Sequence, residues 1–239
     1  MDVSQHSFMA ALEATWPAAE IADRDGWRLR RGEGGGNRVS AASALGGGRI
    51  DEAEAAMRDW GQAPLFQLTP EEEALDADLA ARGYAMHEPV VFYAGRAEAM
   101  AGEADHTGAA YRASLRPAIM EEVWDAGGIG PARRAIMDRV QIPFCFLLGR
   151  MEDRPCGAAF VAVDGDVAMI HAIEVRQDMR RKGVAALMMD SAARFALEAG
   201  AVWLTLAVVD YNAPARTLYE KLGMTAQGRY HYRILKEAW

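Results

Sequence analysis

Cysteine is scarce: Cys145 and Cys156 are the only two in 239 residues, too few for a disulfide framework, and no Cys/His cluster has zinc-ligand spacing. Long apolar runs are missing too. None approaches the roughly 18 residues needed to cross a bilayer as a helix, and the start, MDVSQHSFMAALEATW, lacks the basic beginning, apolar core and small-residue cleavage site of an export signal. A reducing cytoplasm is therefore the expected location, with no membrane partner. Positive charge is also in deficit, with 26 Lys and Arg against 34 Asp and Glu, a formal net charge of −8. Such a surface repels phosphate backbones, so nucleic acid is not an expected partner. The composition is otherwise that of a globular protein: 51% of residues are apolar, enough for one large or two small domains, each with its own core.

Periodicity and punctuation divide the chain into elements. Residues 5–15 read as an amphipathic helix stopped at Trp16-Pro17, because proline disfavours helical geometry in the residue before it. Residues 27–31 alternate as a strand, residues 32–36 form a glycine-rich turn, and residues 51–60 a short helix with acidic residues at its positive end. A strand follows at 64–68, then Thr69 as N-cap, Pro70 as first helical residue, a helix to Arg82 and Gly83 as its C-cap. Residues 84–93 return as extended chain. The small and polar stretch 95–108 reads as a linker.

Beyond it, residues 109–140 give two or three short helices broken by glycine and Pro131. Strands are expected at 144–149, 157–163 and 167–175, with Asp164-Gly165 as a hairpin turn. A helix at 184–199 leads to a nearly continuous apolar strand at 202–209, suited to burial on both faces. A helix at 213–222 and a strand at 224–234 close the chain. The 13 methionines are read as flexible core filler, and Tyr230 to Arg233 as a strand whose aromatic side packs or walls a pocket.

Setting Gly83 against Gly223 reveals an internal echo. The order strand, turn, helix, glycine recurs at the same spacing, placing Leu79 opposite Tyr219 and Glu72 opposite Asn212. The first copy lacks the polar groups of the second.

Two segments of the second half carry chemistry. Residues 173–185, IEVRQDMRRKGVA, run from a strand through a basic loop straight into a helix. Free amides and the positive dipole end at a helix N-terminus make an anion seat, and Gly183 and Ala185 leave room for a phosphate. Arg180, Arg181 and Lys182 add charge, although a solvated helix start would use the same residue types. Residues 208–224 hold Asn212 at a strand mouth and Tyr219 two helical turns further on, so both stand on one wall. Taken singly, Asn212 reads equally as an N-cap and Tyr219 as a core aromatic.

Together the two segments resemble the GNAT superfamily of acyl-CoA-dependent N-acetyltransferases. The loop matches the family's Q/R-x-x-G-x-G/A signature at Arg180, Gly183 and Ala185, and residues 212–223 resemble its Asn-Pro-Ala-x-x-Leu-Tyr-x-x-x-Gly segment, with Ala213 inserted between Asn212 and Pro214. The resemblance spans about 111–239. The first half looks like a degenerate copy, since Gly46-Gly47-Gly48-Arg49 leads into acidic residues that repel a diphosphate. The expected fold is α/β (α+β): two tandem GNAT-like domains, 1–100 and 107–239, each with a mixed, mostly antiparallel central sheet flanked by helices.

The resemblance implies acetyl-CoA as donor, no metal, and a small-molecule or peptide amine as acceptor. It implies that backbone groups of Ile173, Glu174 and Val175 pair with the pantetheine arm, that amides from Arg181 through Val184 to Ala185 hold the diphosphate, that Asn212 positions the arm, and that Tyr219 donates to the departing sulfur. Either Glu174, nearer the expected thioester, or His171, with the better intrinsic pKa, takes the amine proton. By strand alternation these two point to opposite faces unless a bulge intervenes. A non-catalytic module, either a CoA-binding sensor or purely structural, is the alternative function. If the two copies fold independently, deletion of residues 1–105 should leave cofactor binding largely intact.

Overall fold

Residues 5–102, 110–151 and 154–235 are described by the computed structural model. It is a mixed α/β fold whose mostly antiparallel sheets are flanked by helices. The elements of the first part are α1 (Gln5–Thr15), β1 (Glu20–Arg24), β2 (Trp27–Arg31), β3 (Ser43–Ala44), α2 (Ile50–Asp59), β4 (Leu65–Leu68), α3 (Glu73–Ala81), β5 (Tyr84–Arg96) and α4 (Ala97–Met100). The second part has β6 (Ala110–Ala113), α5 (Ala118–Ala126), α6 (Pro131–Asp138), β7 (Phe144–Met151), β8 (Arg154–Asp164), β9 (Val167–Val175), α7 (Val184–Glu198), β10 (Trp203–Val209), α8 (Ala213–Lys221) and β11 (Thr225–Leu235).

Most expected elements stand where the pattern places them, with instructive exceptions. The α3 helix begins at Glu73, not Pro70, because the Glu72 carboxylate turns back to the Thr69 amide (2.7 Å) and hydroxyl (2.9 Å) and closes a turn first. The segment expected as linker starts as structure: β5 runs on through Gly95 and Arg96 against β10, and α4 follows, its first amide bonded to the Val202 carbonyl at 3.0 Å. Gly95 is suited to this path, since a Cβ there would meet the Met100 sulfur at 2.6 Å. The rest of that linker, residues 103–108, lies outside the described residues, as does most of the expected boundary between 100 and 107. Strands β1 and β6 carry too little apolar alternation to be read from sequence.

The strands of the two parts interleave in one sheet of order β4-β11-β5-β10-β9-β8-β7-β6, beside a three-stranded sheet β1-β2-β3. The two sheets touch through a parallel bridge between Ala42 and Phe66. The sequence echo has a direct counterpart here. Helices α3 and α8 are nine residues each, begin after Glu72 and Asn212, and are followed by Gly83 and Gly223 with φ of 90° and 83°. Yet the units exchange their last strands: β5 lies between β10 and β11, and β11 lies between β4 and β5. One sheet is thus shared where a separate sheet for each half was expected. Removing residues 1–105 strips β5 from between its partners, so the deletion expected to spare the second half instead cuts through its sheet.

The exchange is tied by charge. Asp76 of α3 receives Arg233 of β11 in a two-pronged pair at 2.8 and 2.7 Å and meets His231 Nε2 at 2.6 Å. Its bond to Arg233, with His231 beside it, holds the carboxyl down at about 2. Asp76→Asn is expected to lower stability by about 2 kcal/mol at neutral pH. Because the folded pKa is depressed, the wild-type contribution is present above about pH 4 and is lost as pH falls through about 2, so urea midpoints of wild type and variant should converge in acid.

Helix α7 is set on the sheet by a stripe of buried side chains spaced by four, Val184, Met188, Ala192 and Ala196. Gly149 and Gly157, paired across β7 and β8, make the smooth ground under its first turn. A Cβ on either glycine would come within 2.8 Å of Val184 Cγ1. This close seating fixes where the N-terminus of α7 points.

Candidate active site

Strands β9 and β10 pair in parallel only from Val167 to Met169 against Trp203 to Thr205, then separate. Two features drive them apart. Strand β10 keeps its other edge on β5 along its whole length, through Val209 and Val90, while β9 carries a bulge between His171 and Glu174 at which Ala172 adopts φ 51°. The Trp124 indole fixes this bulge by donating to the Ala172 carbonyl at 2.8 Å. A positive φ in a non-glycine residue is costly and persists only where its surroundings hold it.

The opening holds a cleft of about 650 Å³ lined by Ile173, Glu174, Val175, Arg180, Arg181, Gly183, Val184, Ala185, Asn212 and Tyr219, among others. All the expected cofactor residues except Lys182 meet there. Lys182 instead folds back so that Nζ lies 3.6 Å from the Met179 sulfur. Arg181 at φ 62° and Gly183 at φ 89° turn the loop into α7, whose N-cap residue Gly183 has no side chain to satisfy the helix. The Gly183 carbonyl receives the Leu187 amide. That leaves the amides of Val184, Ala185 and Ala186, which a helix start cannot bond internally, free at the cleft. Free amides of this kind at a helix start suit an anion. The strand edge is differently disposed: the Val175 amide donates to Glu174 Oε1 at 3.1 Å and its carbonyl accepts from Arg180 Nε at 3.0 Å, while Arg180 Nη2 pairs with the same carboxylate at 3.0 Å.

Behind the cleft lies a second cavity of about 390 Å³, whose walls include Trp16, Arg38, Glu88, Arg133, His171, Asn212, Tyr219 and Tyr232. Tyr219 and Asn212 belong to both spaces. Burial pushes the Tyr219 phenol up to about 12, so it stays protonated and able to donate at neutral pH. Asn212 is also the N-cap, its side-chain oxygen accepting the Ala215 amide at 3.3 Å. Its amide nitrogen is left for another partner.

The bulge brings His171 and Glu174 to one face, since they register with Phe160 and Ala158 of β8, but it does not bring them together. Glu174 faces the cleft and is held by Arg180. His171 faces the rear cavity, stacked on Trp16 with ring centres 4.8 Å apart, and is 2% exposed. Its tautomer follows from proton counting: the Thr15 hydroxyl spends its one proton on the Ala11 carbonyl at 2.6 Å, so His171 Nε2, 2.8 Å from that oxygen, must donate to it. Nδ1 then carries a lone pair, and it has no hydrogen-bond partner. Burial, with the nearby Arg38 charge adding to it, holds the imidazole well below its usual pKa and therefore neutral.

Arg38, Glu88, Arg133 and Trp16 escape a reading of the sequence because they come from the other part of the chain or from a helix with no motif. Only the glycines before Arg38 and the alternation around Tyr232 are local signals. The thiols are not nucleophile candidates: burial raises Cys145 to about 12 and also raises Cys156.

Residues 116–224 match the family model described as Acetyltransferase (GNAT) family. Among solved structures, a GCN5-related N-acetyltransferase from Kribbella flavida is similar with a TM-score of 0.70 at 17% identity, covering 96% of this chain and 94% of that one. A GCN5-related N-acetyltransferase from Sphaerobacter thermophilus gives a TM-score of 0.58 at 12% identity over 90% and 74%. A tandem GNAT protein from the clavulanic acid biosynthesis pathway gives 0.58 at 11% identity over 95% and 86%. At such identities the structural likeness establishes the fold. No curated protein matches the sequence.

Proposed function

We propose that the chain, whose residues 116–224 match the acetyltransferase (GNAT) family model, is a GNAT-type acyltransferase that transfers an acetyl group from acetyl-CoA to the primary amine of a small acceptor by direct attack. The observation that carries this reading is the position of Tyr219, on the wall shared by the open cleft and the rear cavity. The donor fits the cleft: free amides of Val184, Ala185 and Ala186 with Arg181 beside them suit a diphosphate, and nothing stands within 4 Å of where a Gly183 Cβ would be. The Val175 amide and carbonyl become available to the pantetheine arm once Glu174 and Arg180 swing off them. Asn212 Nδ2 is free to hold that arm.

The bound donor supplies an activated acyl carbon. The acceptor amine lies in the rear cavity, its nitrogen forms the new C–N bond as the C–S bond breaks, and its proton passes to His171 Nδ1, the lone pair left open by the Thr15 contact. Tyr219 donates to the departing sulfur. A thiol with a pKa of roughly 8.5 leaves adequately unaided, so the phenol assists the reaction without being indispensable. Glu174, tied to Arg180 on the donor side, covers the strand edge until the donor displaces it. The first part of the chain, read as a degenerate copy of the second, supplies no diphosphate seat and shapes the acceptor cavity instead.

A thiol-release assay with a panel of amines tests the reading. Tyr219→Phe is expected to lower kcat by about 10- to 100-fold while acetyl-CoA still binds. Acetyl-CoA binding with no acceleration by any amine would replace this reading with that of a cofactor sensor.

A further inference from the structure

The charge of the whole chain, −8, favours a cationic acceptor. The charges that face the rear cavity favour the opposite. Its walls hold two guanidinium groups, Arg38 and Arg133, and one carboxylate, Glu88. Glu88 receives Asn37 Nδ2 at 2.8 Å and lies 3.9 Å from His87 Nε2. Among the described residues neither arginine forms an ion pair with a carboxylate.

Arg38 is aimed inward by its loop. Gly36 has φ 96°, a conformation that disfavours any side chain, and a Cβ on Gly35 would meet Ile136 Cδ1 at 2.7 Å. The chain therefore turns tightly against α6, and the Arg38 side chain crosses to β10, where Nη2 donates to the Ala207 carbonyl at 2.7 Å. One donor is thus spent out of the five that a guanidinium carries. The buried hydroxyls of Tyr230 and Tyr232 have no hydrogen-bond partner. Tyr232 is 1% exposed, lines the same cavity and keeps its proton. A buried phenol without a partner is costly unless a ligand completes it, and Arg38 beside the same cavity keeps donors to offer that ligand. Arg133 of α6 stands at the rim, with Nη2 only 3.4 Å from where a Gly36 Cβ would be.

Resting on the acetyl-transfer reading above, we propose that Arg38, the Tyr232 hydroxyl and Arg133 bind an acidic group carried by the acceptor itself. The acceptor class is then a small amine that also bears a carboxylate or a phosphate ester, of amino-acid size in a cavity of about 390 Å³. Glu88 supplies the opposite charge for its ammonium before deprotonation. Anion recognition by planar guanidinium donors is directional, which holds the amine in one orientation toward His171.

The test uses matched compounds on the full chain: β-alanine against β-alaninamide, phosphoethanolamine against ethanolamine, and spermidine as a polycation. Two readouts are taken, kcat/KM with acetyl-CoA and calorimetric binding of each compound to protein saturated with CoA. At least one acid-bearing member should exceed its neutral partner at least tenfold in both, and the pair that does so identifies carboxylate or phosphate as the recognised group. Arg133→Gln, at an exposed position, should cut the winning ratio at least threefold, and Arg38→Met should bring it near one. Neutral amines or spermidine matching the acids, or a ratio untouched in both folded variants, overturns the anion seat while acetyl transfer stands. Acid-selective binding without turnover of any amine keeps the seat and overturns the acetyl-transfer reading.

Discussion

Ala185→Asp should cost acetyl-CoA at least about a hundredfold in affinity while leaving the protein as stable as its parent. Ala185 stands in the first turn of α7, among the free amides assigned to the diphosphate. A carboxylate there is favourable for the helix, worth a few tenths to about 1 kcal/mol at an N-terminus. For a doubly charged diphosphate the same carboxylate is repulsive. At about 5 Å, even an effective dielectric near 40 makes that repulsion roughly 3 kcal/mol, somewhat more than the two decades stated. Opposite signs for folding and binding make this a demanding comparison. Calorimetry with acetyl-CoA and a thermal melt on the same sample read both. A melt that drops with the affinity would mean that the substitution damaged the helix rather than its ligand.

His171→Gln should lower kcat/KM by about a hundred- to a thousandfold, the range for losing a positioned base, with acetyl-CoA affinity little changed. The Gln side-chain amide can still donate to Thr15 Oγ1, so the contact with α1 survives while the lone pair at Nδ1 is lost. Glu174→Gln, on the donor side, should stay within a few-fold of wild type, and equal losses for both variants would contradict the assignment of the base. A second signature comes from stability. Because the His171 pKa is depressed on folding, the unfolded chain takes up its proton first as pH falls below about 6.5. Stability then declines toward acid by at most about 1.4 kcal/mol per pH unit from this group. Urea midpoints between pH 7 and 5 should show this decline in wild type and a weaker one in His171→Gln.

The cleft proposed for the donor was legible in the sequence because it is built from contiguous residues. Strand, loop and helix start follow one another from Ile173 to Ala185, and the free amides are a property of the helix start itself. Asn212 and Tyr219 lie on one helix and carry their spacing with them. The acceptor side was not legible, because its walls come from α1, the loop before Arg38, β5, α6 and β11, which only the exchange of β5 and β11 brings to one place. Nothing local to Arg38 or Glu88 announces a shared cavity. The base shows the same limit: alternation alone puts His171 and Glu174 on opposite faces, and the bulge at Ala172, fixed by the distant Trp124, decides otherwise. Net charge carries no information on the cavity for a related reason, since it sums a surface of which the cavity is a small, inward-facing part.

The most direct measurement is a crystal structure of the protein with CoA. The diphosphate should lie on the amides of Val184, Ala185 and Ala186, the pantetheine arm along Ile173 to Val175 in place of the Glu174 and Arg180 contacts, and the sulfur within hydrogen-bonding reach of the Tyr219 hydroxyl. A cofactor seated elsewhere, or a sulfur remote from that phenol with the cleft still closed by Glu174 and Arg180, would contradict the assignment.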